Sequence, residues 1–208
     1  MKRALKIYKE KGVIELFNRI LKKTRQFIFE TNSATWYMRD LSSGDVEIKS
    51  AIPLTINFTD FNETLNWIKN QKLSWMLDGR EEEVAIQERH YWGNAKYNGK
   101  IIGYIKVGFG KVFINDYKKS IKFPQDVAFL YDMYVSPEFR NKKVTSYLLN
   151  EASIFSKNIG FKKILGYVPD WNIPSMKGVR KAGLKGVKKI RYIKILGIKI
   201  LAANPANL

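Results

Sequence analysis

Residues 126–149 read DVAFLYDMYVSPEFRNKKVTSYLL, and three textures follow one another inside them. Val127 to Val135 is nearly continuous in apolar side chains, as expected of a strand buried on both faces. Ser136 to Lys143 is polar and holds a proline. Leu148 and Leu149 begin the apolar stripe of a helix. A strand, a polar loop and a helix in that order create an edge where the first helical N–H groups lack backbone partners and attract negative charge. The stretch therefore predicts an anion-binding edge in an α/β protein.

Downstream of it, Gly160 stops the helix, and a strand is predicted from Lys163 to Val168. NIPSMKGVRKAG is a short helix capped by Asn172 and closed by Gly183. KGVKKIRYIKILGIKIL alternates apolar and basic residues, which predicts a closing hairpin turning at Gly197. Upstream, residues 80–123 read as an antiparallel meander, with Asn98-Gly99 as its two-residue turn because both central positions need positive φ. Ile102, Tyr104 and the run to Val107 give its central strand, and Val112, Ile114 and Tyr117 another. Glu81 to Glu83 form an acidic cluster expected on a solvated face or as a docking point for an amine. Residues 60–79 predict a helix capped by Asp60 or Asn62 and ended by Gly79. Residues 46–56 predict an extended run with Pro53 at an edge or a break, and a first strand is expected from Thr35 to Leu41.

Residues 1–30 predict basic amphipathic helices broken near Gly12, with Leu16, Phe17, Ile20 and Leu21 on one face and Arg19, Lys22 and Lys23 on the other. Such a helix packs on its own domain or makes peripheral contact with an anionic membrane. The division expected is this extension, 1–30, followed by a single domain over 31–208.

With no cysteine and one histidine in 208 residues, disulfides, thiolate zinc sites, a cysteine nucleophile and histidine metal clusters are excluded, and no metal is expected. A net charge of +18 points to an anionic partner, although abundant lysine also reflects composition bias that leaves solvated charge. No apolar run reaches the length of a membrane span and no secretory pattern opens the chain, so a cytoplasmic, optionally membrane-associated, location is expected.

The order of elements is α/β with a mixed sheet, and from about Lys96 onward the chain resembles the GNAT superfamily of acyl-CoA-dependent N-acyltransferases. YVSPEFR matches the family's strand end, NKKVT stands at its glycine-rich loop, and Asn172, Ser175 and Gly183-Leu184 stand at its N-x-x-A and closing G-F positions. The resemblance implies a mostly antiparallel sheet splayed between two parallel strands, with acetyl-CoA or another acyl-CoA in the splay. It implies that Met133, Tyr134 and Val135 line the pantetheine arm, that Arg140, Asn141, Lys142, Lys143, Val144 and Thr145 wrap the pyrophosphate, and that Asn172 and Ser175 flank the thioester. The activity implied is acyl transfer to a primary amine of a small molecule or sugar nucleotide.

Two positions depart from the family pattern. Lys143 and Thr145 replace glycines of the loop, and Val179 stands where a tyrosine protonates the leaving thiolate, leaving nearby phenols such as Tyr167 as substitutes. Asp132 is the first candidate for the general base, with Glu88 and His90, two residues apart on one strand face, as second candidates. Asp132 is equally a strand aspartate paired with a lysine. Of the aromatic residues Trp36, Tyr37, Trp67, Trp75, Trp92 and Trp171, most belong in a core, and Trp171 lies beside the implied thioester. Two other readings stay open: a GNAT-like acyl-CoA sensor without turnover, supported by the same departures, and a basic nucleic-acid-binding protein, the less favoured of the two.

Overall fold

The computed structural model describes residues 29–44, 46–59, 61–70, 79–195 and 198–201. The N-terminal helices, the cap at Asp60, Trp75 and the turn at Gly197 lie outside them. The chain divides into two compact units, residues 34–189 with 205–208, and residues 1–33 with 190–204.

The larger unit is built on a sheet in the order β9-β1-β8-β7-β4-β3-β2, formed by β1 (Phe29–Asp40), β2 (Thr55–Thr59), β3 (Tyr91–Tyr97), β4 (Lys100–Gly108), β7 (Val127–Val135), β8 (Lys163–Pro169) and β9 (Lys185–Ile195), the first and last of which run on into the smaller unit. β5 (Lys111–Ile114) and β6 (Lys119–Lys122) pair separately as a hairpin. The pairings β1 with β8, β2 with β3, β3 with β4, and β4 with β7 are antiparallel, and β7 with β8 is parallel. Four helices are described: α1 (Phe61–Asn70), α2 (Gly79–Gln87), α3 (Val144–Asn158) and α4 (Ile173–Lys181). In the smaller unit β9 pairs antiparallel with β10 (Ile198–Leu201), Ile195 opposite Ile198, as the alternation predicts.

Local chemistry explains most of these boundaries. Asn98 and Gly99 hold φ of 48° and 73° between Tyr97 and Lys100, the left-handed pair that matches strand twist in a two-residue hairpin. Asn172 caps α4 by accepting the Ser175 N–H at 3.2 Å, and Gly183 leaves that helix at φ 81°. Pro53 precedes β2, which is the edge strand.

The strand alternation separates two apolar layers. On one face Ile105, Leu130 and Ile164 of the sheet pack with Leu148 and Ala152 of α3 and Val179 of α4. On the other, the Trp36 ring lies 5.5 Å from both Phe129 and Tyr167 and 6.3 Å from Tyr117, which follows β5. Trp36 and Trp92 are wholly buried and Trp67 half-buried, whereas Trp171 is 69% exposed.

Several sequence expectations are corrected. The first strand starts at Phe29, six residues early, and of residues 46–56 only the end, from Thr55, enters a strand. Gly79 opens a helix instead of closing one, and residues 80–87 are helical, not the start of a meander. Glu81 and Glu82 lie in the first turn of α2, where carboxylates complement the helix dipole. Consequently Glu88 and His90 share no strand face: Glu88 turns away from α2, and His90 precedes β3. Glu81 is buried, not a solvated cluster member.

Candidate functional site

β7 and β8 run side by side from Val127 opposite Lys163 to Leu130 opposite Gly166, and there their described pairing ends. β7 continues five residues further, to Val135, and β8 three, to Pro169. The cause lies on the other flank of β7. Between Lys106, opposite Tyr131, and Tyr104, opposite Tyr134, Ile105 of β4 faces two residues, Asp132 and Met133. This bulge adds twist and bends the strand, so β7 leaves β8 and a gap opens between two parallel strands. A cavity of about 290 Å³ occupies the gap, and Asp132, Met133, Asn172, Ser175, Val179 and Tyr167 are in its wall.

Asp132 takes φ 41° at the bulge, a conformation costing a non-glycine residue on the order of 1–2 kcal/mol. Its carboxylate is held on two sides. The Lys106 ammonium lies 2.5 Å from Oδ2, and the Tyr104 hydroxyl donates to the same oxygen at 3.2 Å. Lys106 also pairs with Glu81 of α2, and its nitrogen sits 4.3 Å from the centre of the Trp92 ring. Burial alone would pull this ammonium down, but the Asp132 and Glu81 carboxylates outweigh it and hold it above the usual lysine range. Burial, and then Asp132, raise the Tyr104 phenol. Asp132 is thus paired with a lysine, as one of its two sequence readings has it, and it lies on the cavity wall.

At the end of β7 a single turn over Pro137–Phe139 leads into α3. Asn141 and Lys143 take φ of 62° and 60°, the left-handed conformation that glycine would adopt without cost. α3 starts at Val144 with Lys143 in the capping position and no side-chain cap on its first N–H groups. The Lys142 carbonyl accepts from the Ala51 N–H at 3.0 Å, and Arg140 Nε donates to the Val135 carbonyl at 3.2 Å. Val144 is buried in the core, and the Thr145 methyl faces Gly178 of α4, where a Cβ would come within 2.9 Å of it. Tyr134 stacks on Tyr104, with 6.4 Å between ring centres. Tyr134, Val135 and residues 140–145 follow the cavity-lining part of β7 without lining the cavity.

Asn172 spends its side-chain oxygen on the α4 cap. Val179 is buried. Tyr167 donates its hydroxyl to Asp116 at 2.9 Å, and burial, then Asp116, push its phenol far up. Glu88 and His90 do not line the cavity. Glu88 accepts the Lys111 N–H at 3.3 Å. His90 is buried against Tyr131 and Phe109: Nε2 meets the Phe109 carbonyl at 3.0 Å, and Nδ1 meets the Tyr131 hydroxyl at 2.9 Å. A carbonyl only accepts, so Nε2 carries the hydrogen and Nδ1 receives the Tyr131 O–H. Burial pulls this imidazole below its ordinary value. Sequence reading missed Lys106, and it offered Glu81 only as part of an acidic cluster; Glu81 is in the cavity wall. The available signal was a lysine in the middle of the apolar strand KIIGYIKVG.

Residues 57–183 match the family model described as the Acetyltransferase (GNAT) family. No curated protein matches the sequence. Among solved structures, an acetyltransferase of the GNAT family from Colwellia psychrerythraea aligns with a TM-score of 0.52 at 14% identity, over 78% of this chain and 55% of that one. A GNAT-family protein from Novosphingobium aromaticivorans DSM 12444 aligns with a TM-score of 0.51 at 9% identity, over 78% of this chain and 63% of that one. This chain therefore spans little more than half the length of the first of these, and at such identities the likeness is one of fold.

Proposed function

Because the chain belongs to the GNAT acetyltransferase family, we propose that it transfers an acetyl group from acetyl-CoA to a primary amine on a small molecule. The observation that carries this reading is the gap between β7 and β8, with a cavity in it and an uncapped helix start at the end of β7. In this reading the thioester arm enters along Met133 to Val135. The pyrophosphate meets the N–H groups of residues 141–145, where Asn141 and Lys143 hold left-handed backbone before an uncapped helix start. Asn172 and Ser175 border the acyl group.

The amine nitrogen attacks the thioester carbonyl, a C–N bond forms, and the C–S bond breaks. Asp132 takes the proton that the nitrogen loses. Lys106 and Tyr104 hold the carboxylate in place for this. The thiolate leaves with the C–S electron pair and takes its proton from water, since Val179 has none to give. An ordinary thiol ionises near pH ~8.5, so a thiolate leaves tolerably without an acid.

A second reading, a CoA-binding module without turnover, is favoured by Val179 and by Lys143 and Thr145 in place of loop glycines. Calorimetry with acetyl-CoA followed by thiol release against a panel of primary amines separates the two. Binding with release supports the enzyme, binding without release supports the module, and no heat at millimolar acetyl-CoA overturns both. Asp132→Asn is expected to slow release roughly 10²–10⁴-fold, the contribution of a positioned base, while leaving the heat of acetyl-CoA binding intact.

A further inference from the structure

Lys106 is the most unusual buried group in the described residues. Its side chain is 1% exposed, yet it carries a charge in the middle of a central strand. A lone buried ammonium would cost several kcal/mol, so its two carboxylate partners are required for the fold to hold it ionised. The partners are unequal. Glu81, on α2, is 7% exposed and Asp132 is 21% exposed; both are in the cavity wall, and the lysine between them is not. Both carboxylates thus border the cavity, Asp132 the more openly, and the buried ammonium ties them together.

The backbone points the same way. Asp132 sits at φ 41°, in a bulge where β4 offers one residue against two. Strained non-glycine conformations persist where the surroundings over-determine them. Here the determinants are the ammonium at 2.5 Å and the Tyr104 hydroxyl at 3.2 Å. Lys106 is itself fixed between rings, 4.3 Å from the centre of Trp92 and 5.6 Å from that of Tyr131. Three elements, α2, β4 and the β7 bulge, therefore converge on the orientation of one carboxylate.

We propose that Lys106 and Glu81 are positioning residues for Asp132: the pair fixes the Asp132 carboxylate at the bulge so that it faces the amine bound in the cavity. The proposal rests on the reading of Asp132 as the proton acceptor. Glu81 holds the lysine from below, Lys106 holds Asp132, and the two carboxylates with one ammonium leave a formal charge of −1 across the three groups. In the proposal Asp132 takes the proton, Lys106 does not line the cavity, and Glu81 acts through the lysine.

The test replaces the pair together, Glu81→Gln with Lys106→Met, so that neither charge is left buried without the other. In acetyl transfer, kcat is expected to fall on the order of 10²-fold, the effect of misplacing a reacting group by about an ångström. The KM for acetyl-CoA stays within about two-fold. In an Asp132→Asn background the same pair of replacements changes kcat by less than about two-fold, because its effect passes through Asp132. A loss that multiplies that of Asp132→Asn overturns the proposal.

A second arm needs no activity. With 13C-carboxyl aspartate, the Asp132 signal is expected to broaden or split in the paired variant and to stay single in Lys189→Met, which breaks the exposed ion pair with Asp170. An unaltered Asp132 signal in the paired variant overturns the proposal whether or not the enzyme turns over. Should the wild type release no thiol with any amine, the functional reading fails and the 13C arm still decides whether the pair holds Asp132. If the paired variant does not fold, Lys106→Arg serves in both arms. It keeps the charge but cannot reproduce the point contact of an ammonium.

Discussion

Lys143 occupies a left-handed position directly before α3, at φ 60°. An L side chain there costs on the order of 1–2 kcal/mol, and glycine recovers that at an entropic cost of roughly 0.5–1 kcal/mol. Lys143→Gly is therefore expected to stabilise the fold by up to about 1 kcal/mol, read as a rise in denaturant midpoint; an equal fall would show that the lysine side chain contributes more than its backbone costs. His90 gives a second residue-scale expectation. Its folded value lies below the unfolded one near 6.5 because burial disfavours the imidazolium. Between those two values the unfolded chain binds a proton that the folded one refuses. The contribution is therefore complete above about pH 6.5 and is lost as pH falls toward the folded value. Denaturation at pH 7.5 and 5.5 should show wild type losing more stability than His90→Gln over that interval; identical losses would refute it. The same residue shows where sequence reading stopped. A histidine is visible in a sequence, but the Phe109 carbonyl and Tyr131 hydroxyl that fix its tautomer come from strands and loops brought together only in the fold.

Among the elements, α3 and α4 meet where Thr145 faces Gly178. A methyl at Gly178 would approach the Thr145 methyl to 2.9 Å, and overpacking of this kind costs typically ~1–3 kcal/mol. Gly178→Ala should destabilise within that range, and adding Thr145→Ser should recover most of the loss; additive losses would show that the clash lies elsewhere. Elements with local punctuation were legible in advance. Asn98-Gly99, the Asn172 cap, Gly160 and Gly183 each specify a backbone conformation within a few residues. α2 is not legible in advance, because Gly79 reads as a helix stop and REEEVAIQ as part of a meander. The carboxylates of Glu81 and Glu82 in its first turn are the local signal of a helix start. The splay was expected only through resemblance. Its cause, a bulge at Asp132, depends on a register between β4 and β7 that no local pattern encodes.

For the molecule as a whole, the proposed function puts acyl-CoA in the gap between β7 and β8, and the geometry there offers an uncapped helix start and a paired carboxylate. Lys143, Thr145 and Val179 give this chain a loop and an acid position of its own, while Asn141 and Lys143 keep left-handed backbone there. The account's central claim is that acetyl-CoA lies along the free part of β7 with its pyrophosphate at the start of α3. Amide hydrogen exchange with and without acetyl-CoA tests it most directly. Protection is expected in residues 133–146, with residues 91–101 of the β3–β4 hairpin unchanged. Binding that leaves residues 133–146 exchanging at their free rate would contradict it.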